Sequence, residues 1–288
     1  MERILQKYSL DVDGKQVASN VEAAKTAAKN ITPEALKQCF NSIDLTTLNA
    51  TDTISQVKKM AEKVSDFSNV YRGLPNVAAI CVYPALVKTV IENLTDANVK
   101  IASVTAGFPA SQTFLDVKIK ESLMAVENGA DEIDIVISAG RFLEKDYSFV
   151  YAEIEQIKQA AGDTHVKVIL ETGALKDLQL IRIASLLAME AGADFIKTST
   201  GKFYDAATPE AVCVMCQAIA DYKAQNGRMT GIKPSGGISA TDEVLVYYNI
   251  IKSILGNDWL SNKYFRVGAS RLANNLLTDI VGLEAKYF

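Results

Sequence analysis

Lys197 in ADFIKTSTGK and Lys233 in GIKPSGG each end a short apolar run and are followed at once by a loop of small residues. Two lysines delivered to neighbouring positions away from water disfavour each other's ammonium form, because desolvation and a nearby like charge both penalise it. A lysine that loses its proton easily attacks a carbonyl carbon and forms an imine. Lys197 is the candidate nucleophile. Cleaving a carbon–carbon bond through an imine also needs proton transfers: dehydration of the carbinolamine, removal of a hydroxyl proton and protonation of the enamine carbon. Asp134 in EIDIVI, together with Lys233, is the candidate relay. As an ion-pair partner Asp134 would also neutralise the lysines, and the two roles are compatible.

These residues need a scaffold that brings separate strand ends to one rim. Eight short apolar stretches occur, at 43–46, 77–82, 100–106, 132–137, 165–171, 194–199, 231–234 and 264–270. Between them lie amphipathic stretches such as SQTFLDVKIKESLMAVENGA and ALKDLQLIRIASLLAMEAGA, with Gly129 and Gly192 where a helix end takes a left-handed residue. Eight strand-then-helix units predict an α/β fold, a (β/α)8 TIM barrel, since open doubly wound sheets more often have five or six strands. Residues 1–41 precede the count. ASNVEAAKTAAKN and PEALKQCF predict extra N-terminal helices, packed on the barrel or across its bottom, and residues 1–288 are read as one domain.

Alternate strand residues point to the helix layer or into the barrel. Ile133, Ile135 and Ile137 share one face, so Glu132, Asp134 and Val136 take the other, and the polar face looks inward. The same split puts Asp44, Lys167, Glu171, Lys197, Lys233 and Arg266 inside, with Ile43, Leu45, Val166, Val168, Ile196, Ile232 and Val267 facing the helices. The predicted lumen holds four acids and four bases. A purely structural barrel fills these layers with Val, Ile and Leu, so inward charges mark a reaction site. Lys167, early in its strand, reads as an ion-pair member. Cys81, inward with Val77 and Ala79, is either a small core residue or a border of the cavity.

The loops STGK (199–202), PSGGIS (234–239) and GASR (268–271) follow the sixth, seventh and eighth stretches. Backbone N–H groups at glycine turns and helix N-termini bind anions without bulk positive charge, and in barrels the loops after strands seven and eight are the usual phosphate position. Thr200, Gly201, Lys202, Gly236, Gly237, Ser270 and Arg271 are the candidate binding residues.

Bulk properties exclude other classes. With 49% apolar and 22% charged residues the chain has an ordinary globular composition, and a net charge of −4 leaves no global positive field for nucleic acid or an anionic membrane. No apolar run has the length of a membrane span, and charges interrupt the start, which predicts a cytoplasmic protein. The four cysteines are too few and scattered for a disulfide framework, and Cys213 and Cys216 fall in a predicted helix, so their C-x-x-C reads as buried thiols. Metal-dependent aldol chemistry does not fit: His165 is the only histidine, and it begins its strand, far from the rim.

The runs DLTTL (44–48), AAICVYP (78–84), EIDIV (132–136), VKVILETG (166–173), GADFIKTSTGK (192–202), GIKPSGG (231–237) and FRVGAS (265–270) resemble the deoxyribose-phosphate aldolase family in order and spacing, from Ser42 to Arg271. The resemblance implies reversible cleavage of 2-deoxy-D-ribose 5-phosphate to glyceraldehyde 3-phosphate and acetaldehyde, with no metal or organic cofactor. It matches Lys197 to the Schiff-base lysine, Lys233 to the second lysine and Asp134 to the relay aspartate. Asp44 and Thr46 fall at first-strand site positions, and Gly201, Lys202, Gly236, Gly237 and Ser270 fall in the substrate and phosphate loops. Three features depart from the family's usual pattern: Arg271 replaces a second serine, Ser235 stands where alanine is common, and the loop 136–147 differs. Tyr287 is penultimate, before Phe288, in what is expected to be a mobile tail at 283–288. Barrels of this type commonly pair, so a homodimer is expected. Another imine-forming phosphosugar lyase, a transaldolase, a phosphosugar isomerase or a non-catalytic binding scaffold would share the barrel; the two lysines favour the aldolase.

Overall fold

The computed structural model describes residues 6–204 and 207–288. All eight predicted stretches form parallel strands: β1 (Ile43–Thr46), β2 (Ala79–Val82), β3 (Lys100–Val104), β4 (Glu132–Val136), β5 (His165–Ile169), β6 (Phe195–Lys197), β7 (Gly231–Lys233) and β8 (Val267–Ala269). Their order, β7-β6-β5-β4-β3-β2-β1-β8, follows the chain around the sheet, and the bridges Ile232↔Phe265 and Ser235↔Gly268 close it between β7 and β8. Several predicted strands overrun the ladder by a few residues because the chain stays buried while it leaves the sheet, as at Leu170.

Helices cover the outside. Ahead of the barrel come α1 (Gly14–Ala27) and α2 (Pro33–Asn41), followed along the chain by α3 (Ile54–Val70), α4 (Val87–Asn93), α5 (Leu115–Glu127), α6 (Ala139–Leu143) and α7 (Tyr147–Ala161). The remainder are α8 (Thr172–Leu175), α9 (Leu178–Glu190), α10 (Pro209–Asn226), α11 (Thr241–Leu255) and α12 (Arg271–Val281). Asp13 caps α1 by accepting from Lys15 N and Gln16 N, and Thr32 caps α2 ahead of a proline at its start. Of the two placements expected for these helices, the flank is the one seen: α1 packs on α10 and α11, and α2 on α11 and α12. The stretch read as one helix from Ala174 is two, because Lys176 turns the chain with φ 60° and Asp177 then caps α9 through Gln179 N and Leu180 N.

Strand alternation builds two apolar bodies. Ile43, Leu45, Ile133, Ile135, Val166, Val168, Ile196, Ile232 and Val267 lie in the large layer between strands and helices. A small one of Leu48, Ala79, Cys81, Ala102 and Val104 lies apart, with Tyr83 and Phe108 against it. Val77, expected inward with Cys81, belongs to the outer layer instead; it precedes the first residue of β2, where the alternation does not yet hold.

Candidate active site

Seven of the eight predicted interior charges form one buried network. Arg266 bonds Asp44 at 2.7 Å and Glu132 at 2.8 Å; Lys167 bonds Glu132 at 2.7 Å and Asp134 at 2.8 Å. Lys197 and Lys233, paired in register on β6 and β7, both donate to the same Asp134 Oδ2 at 2.8 Å, and Lys233 also contacts Asp44. The eighth charge corrects the expectation. Glu171 lies beyond the end of β5 with a left-handed backbone (φ 54°, ψ 58°), which breaks the strand alternation and turns its carboxylate to the rim. There it accepts from the Thr200 hydroxyl at 2.6 Å and Thr200 N at 3.3 Å. A left-handed non-glycine residue is strained, and here it fixes the loop that follows Lys197.

Without Glu171 the network is unbalanced. Four bases (Lys167, Lys197, Lys233, Arg266) face three acids (Asp44, Glu132, Asp134), a surplus of one positive charge among buried groups. Unpaired buried charge is costly, and losing one proton removes it. The surroundings treat the three lysines differently. Burial lowers the Lys197 pKa below the ordinary lysine value and the Lys233 ammonium lowers it further, against the pull of Asp134. Burial also works against the Lys233 and Lys167 ammoniums, but Asp134 with Asp44 at the first, and Asp134 with Glu132 at the second, outweigh it and raise both. Burial likewise disfavours the carboxylates of Asp134 and Glu132, yet the surrounding cations hold both well below the usual range, with Lys167 the strongest in each case. Lys197 is thus the one of the three lysines whose charged form its surroundings disfavour.

A cavity of about 600 Å³ opens above this network at the C-terminal rim. Of the sequence-predicted residues, Thr46, Lys197, Thr200, Gly201, Lys202, Gly236, Gly237, Ser270 and Arg271 line it. Asp44, Asp134, Lys233 and Cys81 do not; they are fully buried beneath it. For Cys81 this favours the core role, and burial raises its thiol pKa.

Side chains tie the β6 and β7 loops together. Ser199 Oγ donates to Ser235 O at 2.5 Å, Ser235 Oγ to Ser199 O at 2.6 Å, and Thr198 Oγ1 both donates to Ser235 O and accepts from Ser235 N. The serine at 235 therefore has a structural task. Gly236 and Gly237 follow with φ 93° and 76°, a conformation that favours glycine. Gly268 is required by space: a Cβ there would stand 2.7 Å from Ser235 Cβ and 3.3 Å from Lys233 Cε. Ser270 precedes α12 without capping it through its side chain, so the first N–H groups of α12 start at the cavity edge beside Arg271. Lys202 donates to Leu48 O across the mouth, and Thr46 Oγ1 donates to Asp44 O at 2.7 Å.

The sequence reading missed the α3 wall. Gln56, Lys59, Met60 and Lys63 line the cavity from α3, and their spacing of three, one and three residues marks one helix face. The terminal segment packs against α3 and α12 in this structure. Asn274 bonds the backbones of Tyr287 and Phe288, Tyr287 Oη donates to Lys63 O at 2.6 Å, and Phe288 stacks on Phe67 and lines the cavity.

Comparison with known proteins agrees with this architecture. The model of the family described as DeoC/LacD family aldolase matches residues 39–246. Deoxyribose-phosphate aldolase of Homo sapiens is 39% identical over 273 residues, covering 91% of this chain and 86% of its own length, and that of Bos taurus is 39% identical, covering 91% and 85%. The tetrameric deoxyribose phosphate aldolase structure from Aeropyrum pernix superposes with a TM-score of 0.68 at 24% identity, covering 93% of this chain and 98% of that one, and supports the fold alone. Matched over most of its length at this identity, the chain belongs to the DeoC/LacD family of aldolases.

Proposed function

We propose that this lyase reversibly cleaves 2-deoxy-D-ribose 5-phosphate to D-glyceraldehyde 3-phosphate and acetaldehyde through a Schiff base on Lys197. The surplus positive charge in the buried network carries the reading, because Lys197 is the lysine whose proton loss relieves it and also the one that lines the cavity. The neutral amine adds to the open-chain aldehyde carbon. The carbinolamine hydroxyl takes a proton and leaves as water, giving the iminium. A base removes the C3 hydroxyl proton, the C2–C3 bond breaks, and its electron pair moves to the iminium nitrogen, so glyceraldehyde 3-phosphate leaves and an enamine remains. Protonation of the enamine carbon and hydrolysis release acetaldehyde and return the amine. Asp134 Oδ2, shared by Lys197 and Lys233, connects the nucleophile to a proton store.

Backbone N–H groups around Gly236, Gly237 and Ser270 hold the phosphate, and Arg271 adds a charge-assisted contact. Thr46 touches the sugar from β1, Thr200, Gly201 and Lys202 border it from the β6 loop, and Asp44 orients Lys233 from below. No helix among the described residues is long and apolar enough to cross a membrane. Four buried free cysteines suit a reducing compartment, and the chain is read as cytoplasmic. Exposed Phe114, Val117 and Met124 at one face of α5 support a homodimer.

A turnover assay decides between this reading and an isomerase, a transaldolase or an inert scaffold. Purified protein should release acetaldehyde and triose phosphate from 2-deoxyribose 5-phosphate, undiminished by a chelator. Unphosphorylated 2-deoxyribose should lose about 10²-fold or more in kcat/KM, from two or more charge-assisted hydrogen bonds of roughly 1.5–3 kcal/mol each. Arg271→Ser should raise KM more than it lowers kcat. Equal rates with and without the phosphate would discard the assigned loops, and no acetaldehyde at all would discard the activity.

A further inference from the structure

The cavity carries more positive charge than one phosphate accounts for. Among the described residues, five basic ones line it (Lys59, Lys63, Lys197, Lys202 and Arg271) and no Asp or Glu does, in a chain with 34 acidic and 30 basic residues. Lys197 is the nucleophile, and the Lys202 ammonium is engaged by the Leu48 carbonyl. Among the described residues no ion pair involves Lys59, Lys63 or Arg271.

Helix α3 sorts its charges by face. Val57, Ala61, Val64 and Phe67 are buried, and Lys58 pairs with Glu62 at 3.8 Å away from the cavity. Lys59 and Lys63, one turn apart, line the cavity as an uncompensated like-charged pair, an arrangement that destabilises a helix when nothing sits between the charges. The backbone beneath them is held: Tyr287 Oη donates to the Lys63 carbonyl, and Phe288 stacks on Phe67. Lys59 and Lys63 line the same cavity as the loop of Ser270 and Arg271.

We propose that Lys59 and Lys63 form a second anion subsite, continuous with the phosphate loops, and that the cavity accepts ligands carrying two phosphoryl groups, one on the Gly236–Gly237 and Ser270 loops and one on α3. The inference rests on the phosphate assignment above, and its test separates the two. Inorganic phosphate and inorganic pyrophosphate are compared as inhibitors of 2-deoxyribose 5-phosphate cleavage at matched ionic strength. Pyrophosphate should inhibit about tenfold more tightly than phosphate, the gain that one further charge-assisted contact supplies. In Lys59→Gln/Lys63→Gln, with folding checked by circular dichroism, that ratio should fall to about twofold or less while phosphate inhibition changes far less. Equal inhibition by the two anions in the wild type, an unchanged ratio in the variant, or an equal loss for both anions would overturn the second subsite. Inhibition by neither anion would instead remove the phosphate assignment, and the subsite with it.

Discussion

The Lys197 amine is set by two neighbours that pull in opposite directions, and each can be removed alone. Lys233→Leu takes away the like charge and leaves Asp134 Oδ2 to Lys197, so both changes hold the proton on Lys197 and its lowered pKa rises. The acidic limb of kcat/KM should move to higher pH. Asp134→Asn removes the carboxylate that opposes proton loss, so the same limb should move to lower pH. Turnover should fall about 10²-fold or more in each, the scale of general acid–base assistance. A pH–rate profile for both variants checks this; shifts in the same direction, or none, would reduce the residues to charge fillers. These residues were legible in the sequence because strand alternation exposes inward charges in EIDIV, FIK and GIK. Glu171 was not, because the left-handed turn that takes it out of the network leaves no mark on the apolar pattern.

The elements that hold the site are joined by buried polar contacts as well as by apolar packing. Lys118 of α5 donates to Glu153 of α7 at 2.6 Å, to Ser111 at 2.7 Å and to Ser138 at 3.0 Å, and Ser111 donates to Val136 O at the end of β4. This cluster ties the loops after β3 and β4 to the strand that carries Asp134. Both members of the ion pair are almost fully buried, at 1% and 3% side-chain exposure, so removing one leaves an uncompensated charge. Lys118→Met should cost about 3–5 kcal/mol in denaturant unfolding, and Lys118→Met/Glu153→Leu should recover most of it. Equal losses in the single and double variants would contradict the pairing argument. All eight strands and the main helices could be read from apolar runs and punctuating glycines. The break between α8 and α9 could not, since a short helix followed by a capped one has the same apolar spacing as a single helix.

Across the whole molecule, sequence order and the closed sheet agree, so the units were countable before their contacts were known. Docking of α1 and α2 on the last helices, and of Tyr287 and Phe288 on α3, depends on surfaces distant in sequence and leaves no local signature. The pairing of two copies proposed above would be of the same kind. Phe114, Val117 and Met124 are 81%, 51% and 48% exposed, an apolar face whose burial would stabilise a dimer. Sedimentation velocity should give twice the chain mass, and Val117→Asp should return it to a monomer; a wild-type monomer, or an unchanged dimer in the variant, would dismiss this face.

The charge surplus that singles out Lys197 makes one requirement that an isomerase, a metal enzyme or a scaffold does not share: a covalent imine at that nitrogen. Borohydride reduces an imine irreversibly. Incubation with 2-deoxyribose 5-phosphate and borohydride near neutral pH should inactivate the protein and leave one adduct, which peptide mass spectrometry should place on Lys197. Lys197→Arg keeps the charge but cannot supply a neutral amine, so it should abolish both adduct and turnover. An adduct mapped reproducibly to Lys233, or full activity in Lys197→Arg, would contradict the account.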